Sequence, residues 1–479
     1  MNLQQLSQKV LLHIPPLTWK NFRQAMLDAR QDREEVIGFL FCQRHQLSKQ
    51  TIRYTPQAWV VPTPDCYEHQ SASGLVLKQQ FHQYILDTYW RSPNLDVVHV
   101  HTHFGDQSPT FSAIDDRHES EYARFLSFCY RQKPRLISGV FNESLEKSQF
   151  RLWDRQGIEH REISFYTSWF APTNKTIVSE ETESIFTRQQ VFGATVQQKL
   201  GQLKVALIGC GGIGAVFAEQ LARLGVRNWI LVDPDRLETS NLNRMPAATH
   251  KMVDQWWYKT NYVKWLIKRA YTTGSYVQAL PRAVEDEEAI KTIATADLIV
   301  VATDNHRSRQ VAQELAIKYA RTLVCLGTHI ELKPDCRPRL YCRVTVPPLG
   351  GDWCLMCGNI INLQQAALES APTEITDMVE KAGYIHGIDA PAVYWLNSIC
   401  ASQGVGVIHG MISGFLDLDA GLDWIYDFAN MNWLKTDPNH LGNSDCYFCS
   451  DDISSLSDGK IAFSSGVIEE TNPANSLIL

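Results

Sequence analysis

The chain has 479 residues, 44% hydrophobic and 20% charged, with a formal net charge of −7. That length suits two or three domains, and without basic stretches no nucleic-acid partner is expected. No run of 18 apolar residues occurs, so no membrane partner is expected either. The N-terminal Met1-Asn-Leu-Gln-Gln-Leu lacks a charged-then-apolar leader pattern. Twelve cysteines in such a chain suit metal ligation in a reducing cytoplasm better than a disulfide framework.

In chain order, Glu35-Val-Ile-Gly-Phe-Leu40 is strand-like, and Leu95-Asp-Val-Val-His-Val100 alternates as a strand does. His101-Thr-His103 follows. Side chains two apart on a strand share a face, so the two imidazoles can address one metal, with Asp115 as an oxygen ligand. Two histidines and a carboxylate leave a fourth zinc position for water. His99 lies on the same face, which leaves a His99/His101 pair as a rival. Residues 120–130 have helical spacing, and 136–141 and 150–153 read as strands. A polar, Pro-containing stretch over 166–184 suits a linker.

From residue 185 the pattern becomes β-α-β, which argues a parallel sheet with crossover helices. Leu203–Ile208 reads as a buried strand, 215–224 as a helix, 228–232 and 297–302 as strands. Gly209-Cys-Gly211-Gly212-Ile-Gly214 joins the first strand to its helix and suits a phosphate at a helix N-terminus, in a dinucleotide dehydrogenase as well as in an ATP site. Asp233 ends the next strand, where it can accept from ribose hydroxyls. Cys354-Leu-Met-Cys357 and Cys446-Tyr-Phe-Cys449 have the spacing of a four-thiolate structural zinc site. The tail after 452 has no clear periodicity.

Two resemblances organise these signals. Glu35 … His101-x-His103 … Ser112-x-x-Asp115 resembles the JAMM motif of JAB-type deubiquitinating metalloproteases. The match departs from that motif in Phe104, where proline is usual, and in a slightly longer His103–Asp115 loop. The resemblance implies an α+β zinc peptidase over residues 1–165, with Glu35 as general acid/base and Ser112 donating to an oxyanion. The second half, with Asp233-Pro-Asp-Arg-Leu-Glu-Thr-Ser-Asn241-Leu-Asn243-Arg244, Lys259, Thr303-Asp304-Asn305 and Phe186-Thr-Arg188, is similar to the ThiF/MoeB and ubiquitin-activating enzyme superfamily. It implies a Rossmann-like α/β adenylation domain over 185–452, before a tail over 453–479. In that family's terms Asp233 and Asn241 belong to the nucleotide site, Arg244 and Lys259 neutralise ATP phosphates, Asp304 holds Mg²⁺, and Arg188 reaches into a neighbouring subunit of a homodimer.

Together the resemblances imply a bifunctional enzyme of a bacterial ubiquitin-like pathway, trimming a ubiquitin-like tail and adenylating it for a conjugating enzyme. One alternative is a sulfur-carrier system making a thiocarboxylate; another is a non-catalytic scaffold that binds a ubiquitin-like protein. Ubiquitin-activating enzymes also carry a catalytic cysteine after the first Cys-x-x-Cys pair, yet residues 359–387 contain none. A thiol lost by substitution would have stood within Ser370-Ala-Pro-Thr373. Cys400, in a run that reads as a packed helix, suits a buried small hydrophobe better than a nucleophile.

Overall fold

Two mixed sheets organise the chain in the computed structural model. It describes residues 9–30, 33–48, 50–83, 95–105, 107–129, 133–160, 163–170, 185–270, 274–331, 338–351, 353–371, 391–437, 441, 446–449 and 464–468. Contacts divide the chain into one unit of residues 1–168 with 447–479, and a second of residues 169–446. No helix among the described residues is long and apolar enough to cross a membrane.

In the first unit the chain runs β1 (Lys9–His13), α1 (Pro16–Asp28), β2 (Ile37–Ser48), β3 (Thr51–Pro62), β4 (Tyr67–Ser71), β5 (Gly74–Leu77), β6 (Leu95–Thr102), α2 (Ala113–Cys129), β7 (Leu136–Phe141), β8 (Ser148–Trp153), β9 (Glu159–His160) and β10 (Ile163–Tyr166). The sheet order is β10-β1-β3-β2-β6-β7-β8-β9, and β4 pairs with β5 as a separate hairpin. Val98 and Val100 bury on one face with Phe22 and Met26 of α1. Val97 buries on the other face with Ala123 and Leu126 of α2. α2 begins seven residues before the helical spacing starts. Ser112 and Asp115 form a reciprocal cap: Ser112 Oγ accepts from Asp115 N at 3.2 Å, and Asp115 Oδ2 accepts from Ser112 N at 2.7 Å.

His13 gives this unit a pH response. It is 2% exposed, stacks on Tyr166 at 4.4 Å between ring centroids, and its Nε2 lies 3.1 Å from Ser168 O. Burial, with Arg53 nearby, pushes the imidazole down to about 3. The unfolded chain therefore takes up the proton first, near 6.5. The contribution of neutral His13 is complete above pH 6.5 and is lost as pH falls from 6.5 towards 3. Hydrogen exchange of residues 9–14 is expected to show opening that grows easier by up to about 1.4 kcal/mol per pH unit in that window. In His13→Gln this slope should flatten; an unchanged slope would assign the acid sensitivity to other groups.

In the second unit follow α3 (Ala194–Gln202), β11 (Lys204–Ile208), α4 (Gly212–Leu224), β12 (Asn228–Val232), α5 (His250–Asp254), α6 (Lys259–Ala270), β13 (Tyr276–Leu280), α7 (Glu287–Ile293), β14 (Leu298–Val301), α8 (His306–Tyr319), β15 (Thr322–Glu331), β16 (Arg339–Val346), α9 (Leu363–Glu369), α10 (Tyr394–Ser413), β17 (Leu422–Asp427) and β18 (Asn432–Lys435). β13-β12-β11-β14-β15 are parallel, and β16, β17 and β18 extend the sheet antiparallel. Both faces are covered. Leu207, Leu231 and Val300 pack with α4, α6 and α10, whereas Ile208, Val232 and Val301 pack with α7 and α8. Such strands read as continuous apolar runs, which is why β11, β12 and β14 are legible in the sequence. The strand order reverses between β11 and β14, the place where open α/β sheets bind ligands at their carboxyl ends. Of the tail, residues 464–468 form β19, which pairs parallel with β3 in the first unit. The linker residues 171–184 and most of the tail lie outside the described residues.

Candidate functional site

A cavity of about 560 Å³ opens at the reversal point between β11 and β14. Its floor is the turn from β11 into α4, and the glycines there do different work. Gly209 has φ +93°, and a Cβ on it would meet Ala302 O at 2.7 Å; on Gly214 it would lie 2.0 Å from Gly209 O. These two glycines are required by chain crowding. A Cβ on Gly211 would meet nothing within 4 Å, so this residue keeps the cavity floor open. Gly211 precedes α4 without a side-chain cap on the helix. The amides of its first turn are therefore available to an anion.

Charged groups line the wall. Asp233 is 7% exposed and accepts from Cys210 N at 2.7 Å and Asp235 N at 2.9 Å. One carboxylate thus holds both the glycine turn and the next turn, with lone pairs remaining for a ribose. Burial raises its pKa, against the pull of Lys259. Lys259, the first residue of α6, donates to Asp235 Oδ2 at 2.7 Å. Burial disfavours its charge, but Asp233, Asp235 and Asp304 outweigh that and raise its pKa, so it is a firm cation. Arg244 and Asp304 line the same cavity.

The sequence-derived residues divide accordingly. Gly209, Gly211, Gly212, Asp233, Asn241, Arg244, Lys259 and Asp304 surround the cavity. Asn241 is 5% exposed, and its side chain accepts from Glu238 N at 3.1 Å, so it holds the turn that carries Arg244. Arg188 is exposed on a short 3₁₀ turn, Thr187–Phe192, and is not among the residues lining the cavity of its own chain. Arg309, Thr328 and Asn397 are among the lining residues that escape the sequence reading. Arg309 donates to Thr303 O at 2.9 Å, Thr328 donates to Asn397 Oδ1 at 3.1 Å, and Asn397 is 3% exposed. An amide near the start of the apolar run of α10 was the available signal for Asn397. Arg309, six residues after Thr303, was the signal in α8.

Cys400 is fully buried, with Sγ 3.4 Å from Gly327 O. A hydrogen bond with Cys342 and burial raise its thiol well above the usual value, which suits packing and not attack. Residues 372–390 lie outside the described residues, so the Pro372-Thr373 pair receives no structural account. Cys354 Sγ lies 3.8 Å from Cys357 Sγ and 3.7 Å from Cys446 Sγ. Cys449 follows on the same turn as Cys446. Bonds of about 2.3 Å to tetrahedral zinc would set thiolates about 3.8 Å apart, so these sulfurs fit that ion.

In the first unit three donors converge. His101 Nε2 is 3.2 Å from His103 Nε2 and 3.4 Å from Asp115 Oδ1, and His103 Nε2 is 3.4 Å from Asp115 Oδ2. Zinc bonds of about 2.0–2.1 Å in a tetrahedron require about 3.3–3.4 Å between such donors, and the set fits. Burial lowers the His101 pKa. The hydrogen bond that His103 donates to Asp115 raises the His103 pKa. Burial would raise Asp115, but the two imidazoles hold it far below the usual carboxylate range.

Glu35 reaches this place through strand register. Ile37 pairs with His101 in the antiparallel β2–β6 ladder, so Glu35, two residues earlier, falls opposite His103. Ser71 O accepts from its amide at 2.8 Å, and Gln70 Nε2 donates to its carbonyl at 2.9 Å, fixing it to β4. Burial raises its carboxyl pKa, against His103. Ser112 Oγ donates to Asp115 Oδ2 at 2.8 Å, so the hydroxyl orients the carboxylate. His99 turns elsewhere, with Nε2 2.9 Å from Ser138 Oγ and 3.3 Å from Glu119 Oε1, which leaves His101 and His103 as the converging pair.

Residues 186–366 match the ThiF family. Among curated relatives, the sulfur carrier protein ThiS adenylyltransferase of Bacillus subtilis is 29% identical over 41% of this chain and 60% of its own length. The adenylyltransferase and sulfurtransferase UBA4 of Candida albicans is 24% identical over 40% of this chain and 42% of its own length. The chain thus spans 60% or less of the length of these two relatives. A crystal structure of E. coli MccB with MccA-N7isoAsn is 19% identical, covers 56% of this chain and 74% of that one, and superimposes with a TM-score of 0.44.

Proposed function

We propose, from the premise that residues 186–366 form a ThiF-type adenylyltransferase domain, that the chain uses ATP to adenylate the C-terminal carboxylate of a small ubiquitin-like carrier protein. The observation that carries this is one cavity in which an uncapped helix start, Lys259, Arg244 and Arg309 face Asp233 and Asp304. In the reaction a carboxylate oxygen attacks the α-phosphorus, a C–O–P anhydride forms, the Pα–O bond to the β-phosphate breaks, and pyrophosphate departs. Lys259, Arg244 and Arg309 neutralise charge that grows on the phosphates. Asp304 would hold a Mg²⁺ ion, which would supply further charge neutralisation at the phosphates. Asp233 orients the ribose.

The carrier belongs to the sulfur-carrier type more readily than to a conjugation pathway. The Bacillus subtilis relative is named for a sulfur carrier protein and the Candida albicans relative for a sulfurtransferase, and Cys400 is buried in a packed helix. Transfer to a conjugating enzyme, the first expectation from sequence, has less support. Cys354, Cys357, Cys446 and Cys449 would hold a structural zinc ion in a reducing cytoplasm. A homodimer is supported by exposed Ile185, Val191, Phe192 and Phe415. The first three flank exposed Arg188, which would serve a partner's cavity.

The first unit is proposed to be a peptidase that exposes or releases the same C-terminal tail. His101, His103 and Asp115 would hold a zinc ion, which would supply Lewis-acid activation of water at neutral pH. Glu35, 9% exposed and with its carboxyl pKa raised by burial, would take up and return a proton.

The test is to incubate the purified chain with ATP and each small ubiquitin-like protein of its own genome, and to measure intact masses. An adenylate with pyrophosphate release, and loss of residues after the carrier's terminal glycine, are expected. A thioester on the enzyme would restore the conjugation reading. Absence of both exchange and cleavage would leave a binding scaffold.

A further inference from the structure

We propose that Arg151 and Glu119 are positioning residues that lock the helix bearing Asp115 onto the strand that carries His101 and leads into His103; this rests on reading those three as a zinc centre. Arg151 stands on β8 and is 1% exposed, and Glu119 on α2 is 2% exposed. The guanidinium donates to Glu119 Oε2 from Nε at 2.6 Å, with NH2 2.5 Å from the same oxygen, and to Asp116 Oδ1 from NH1 at 2.5 Å. Its plane lies 3.7 Å over Phe111 and 4.8 Å from the Trp153 ring. Glu119 also accepts from Trp153 Nε1 at 3.2 Å and lies 3.3 Å from His99 Nε2.

The contacts bracket the donors. Phe111 directly precedes the Ser112 cap, Asp116 directly follows Asp115, Glu119 lies one turn further along α2, and His99 lies two residues before His101. Asp115 stands in the first turn of its helix, where ends fray. The helix and the strand are brought together here by one fork-shaped cation and one carboxylate. A buried ion pair is weak evidence for stability, since apolar replacements of equal volume are often neutral or better. Its geometry is strong evidence for orientation, because a guanidinium fork fixes direction as well as distance.

Two variants separate orientation from folding. Arg151→Lys keeps the charge and loses the fork; Arg151→Met with Glu119→Leu removes both charges at similar volume. Zinc competition with a chelator is measured on the full chain, with His101→Ala marking the share held by the cysteines. Both variants are expected to lower the affinity of the His101-dependent zinc about 10- to 100-fold. The thermal midpoint of the double variant and ATP–pyrophosphate exchange should stay near wild type. Wild-type affinity in both folded variants overturns the proposal. If the wild-type chain holds no His101-dependent zinc, the zinc reading itself fails, a result distinct from loss of the clamp.

Discussion

Lys259→Ala is expected to lower ATP–pyrophosphate exchange about 10²- to 10³-fold, the usual loss when one preorganised charge-stabilising group is removed. The side chain is a cation on the wall of the cavity, held there by Asp235 at 2.7 Å. It contributes little to the core, so thermal stability should hold. Asp235 is substantially exposed, and such a pair adds at most about 1 kcal/mol. Steady-state exchange measured across ATP concentrations separates binding from chemistry. A variant that exchanges at the wild-type rate would remove Lys259 from the phosphate site. Mixing Lys259→Ala with Arg188→Ala extends the experiment. If Arg188 serves the partner's cavity, mixed dimers regain one intact site and exchange reappears.

Glu35→Gln is expected to lower cleavage of a carrier precursor by about 10²- to 10⁴-fold, the range of a positioned general acid/base. Zinc content should not change, because Glu35 lies opposite His103 in register and is not among the three converging donors. The amide is close in size to the acid, so β2 and its neighbours should remain packed. His101→Ala should instead lose both the metal and the activity. Intact-mass cleavage assays paired with metal analysis distinguish the two. Cleavage by Glu35→Gln at the wild-type rate would exclude the proposed proton transfer.

Much of the adenylation half was legible in the chain because its signals are local. Glycine spacing defines a turn, an apolar run of five defines a strand buried on both faces, and Asp233 ends one such strand. The same holds for the two Cys-x-x-Cys turns, whose partners within each turn are fixed by three residues of backbone. The carrier class was less legible. Conjugation and sulfur-carrier readings share the adenylation motifs, and the position of a thiol that separates them depends on burial, as Cys400 shows.

By itself the sequence determined which residues could meet within one turn or one strand face: His101 with His103, Ser112 with Asp115, Gly209 with Gly214. Tertiary structure decided every meeting across longer intervals. The β2–β6 register placed Glu35 opposite His103. The β8–β7 pairing set Arg151 against Ser138, within reach of α2. α10 delivered Asn397 to a cavity formed mainly by residues far earlier in the chain. The physical reason is that backbone geometry fixes neighbours only over a few residues, whereas strand order and register follow from which faces the whole fold can bury.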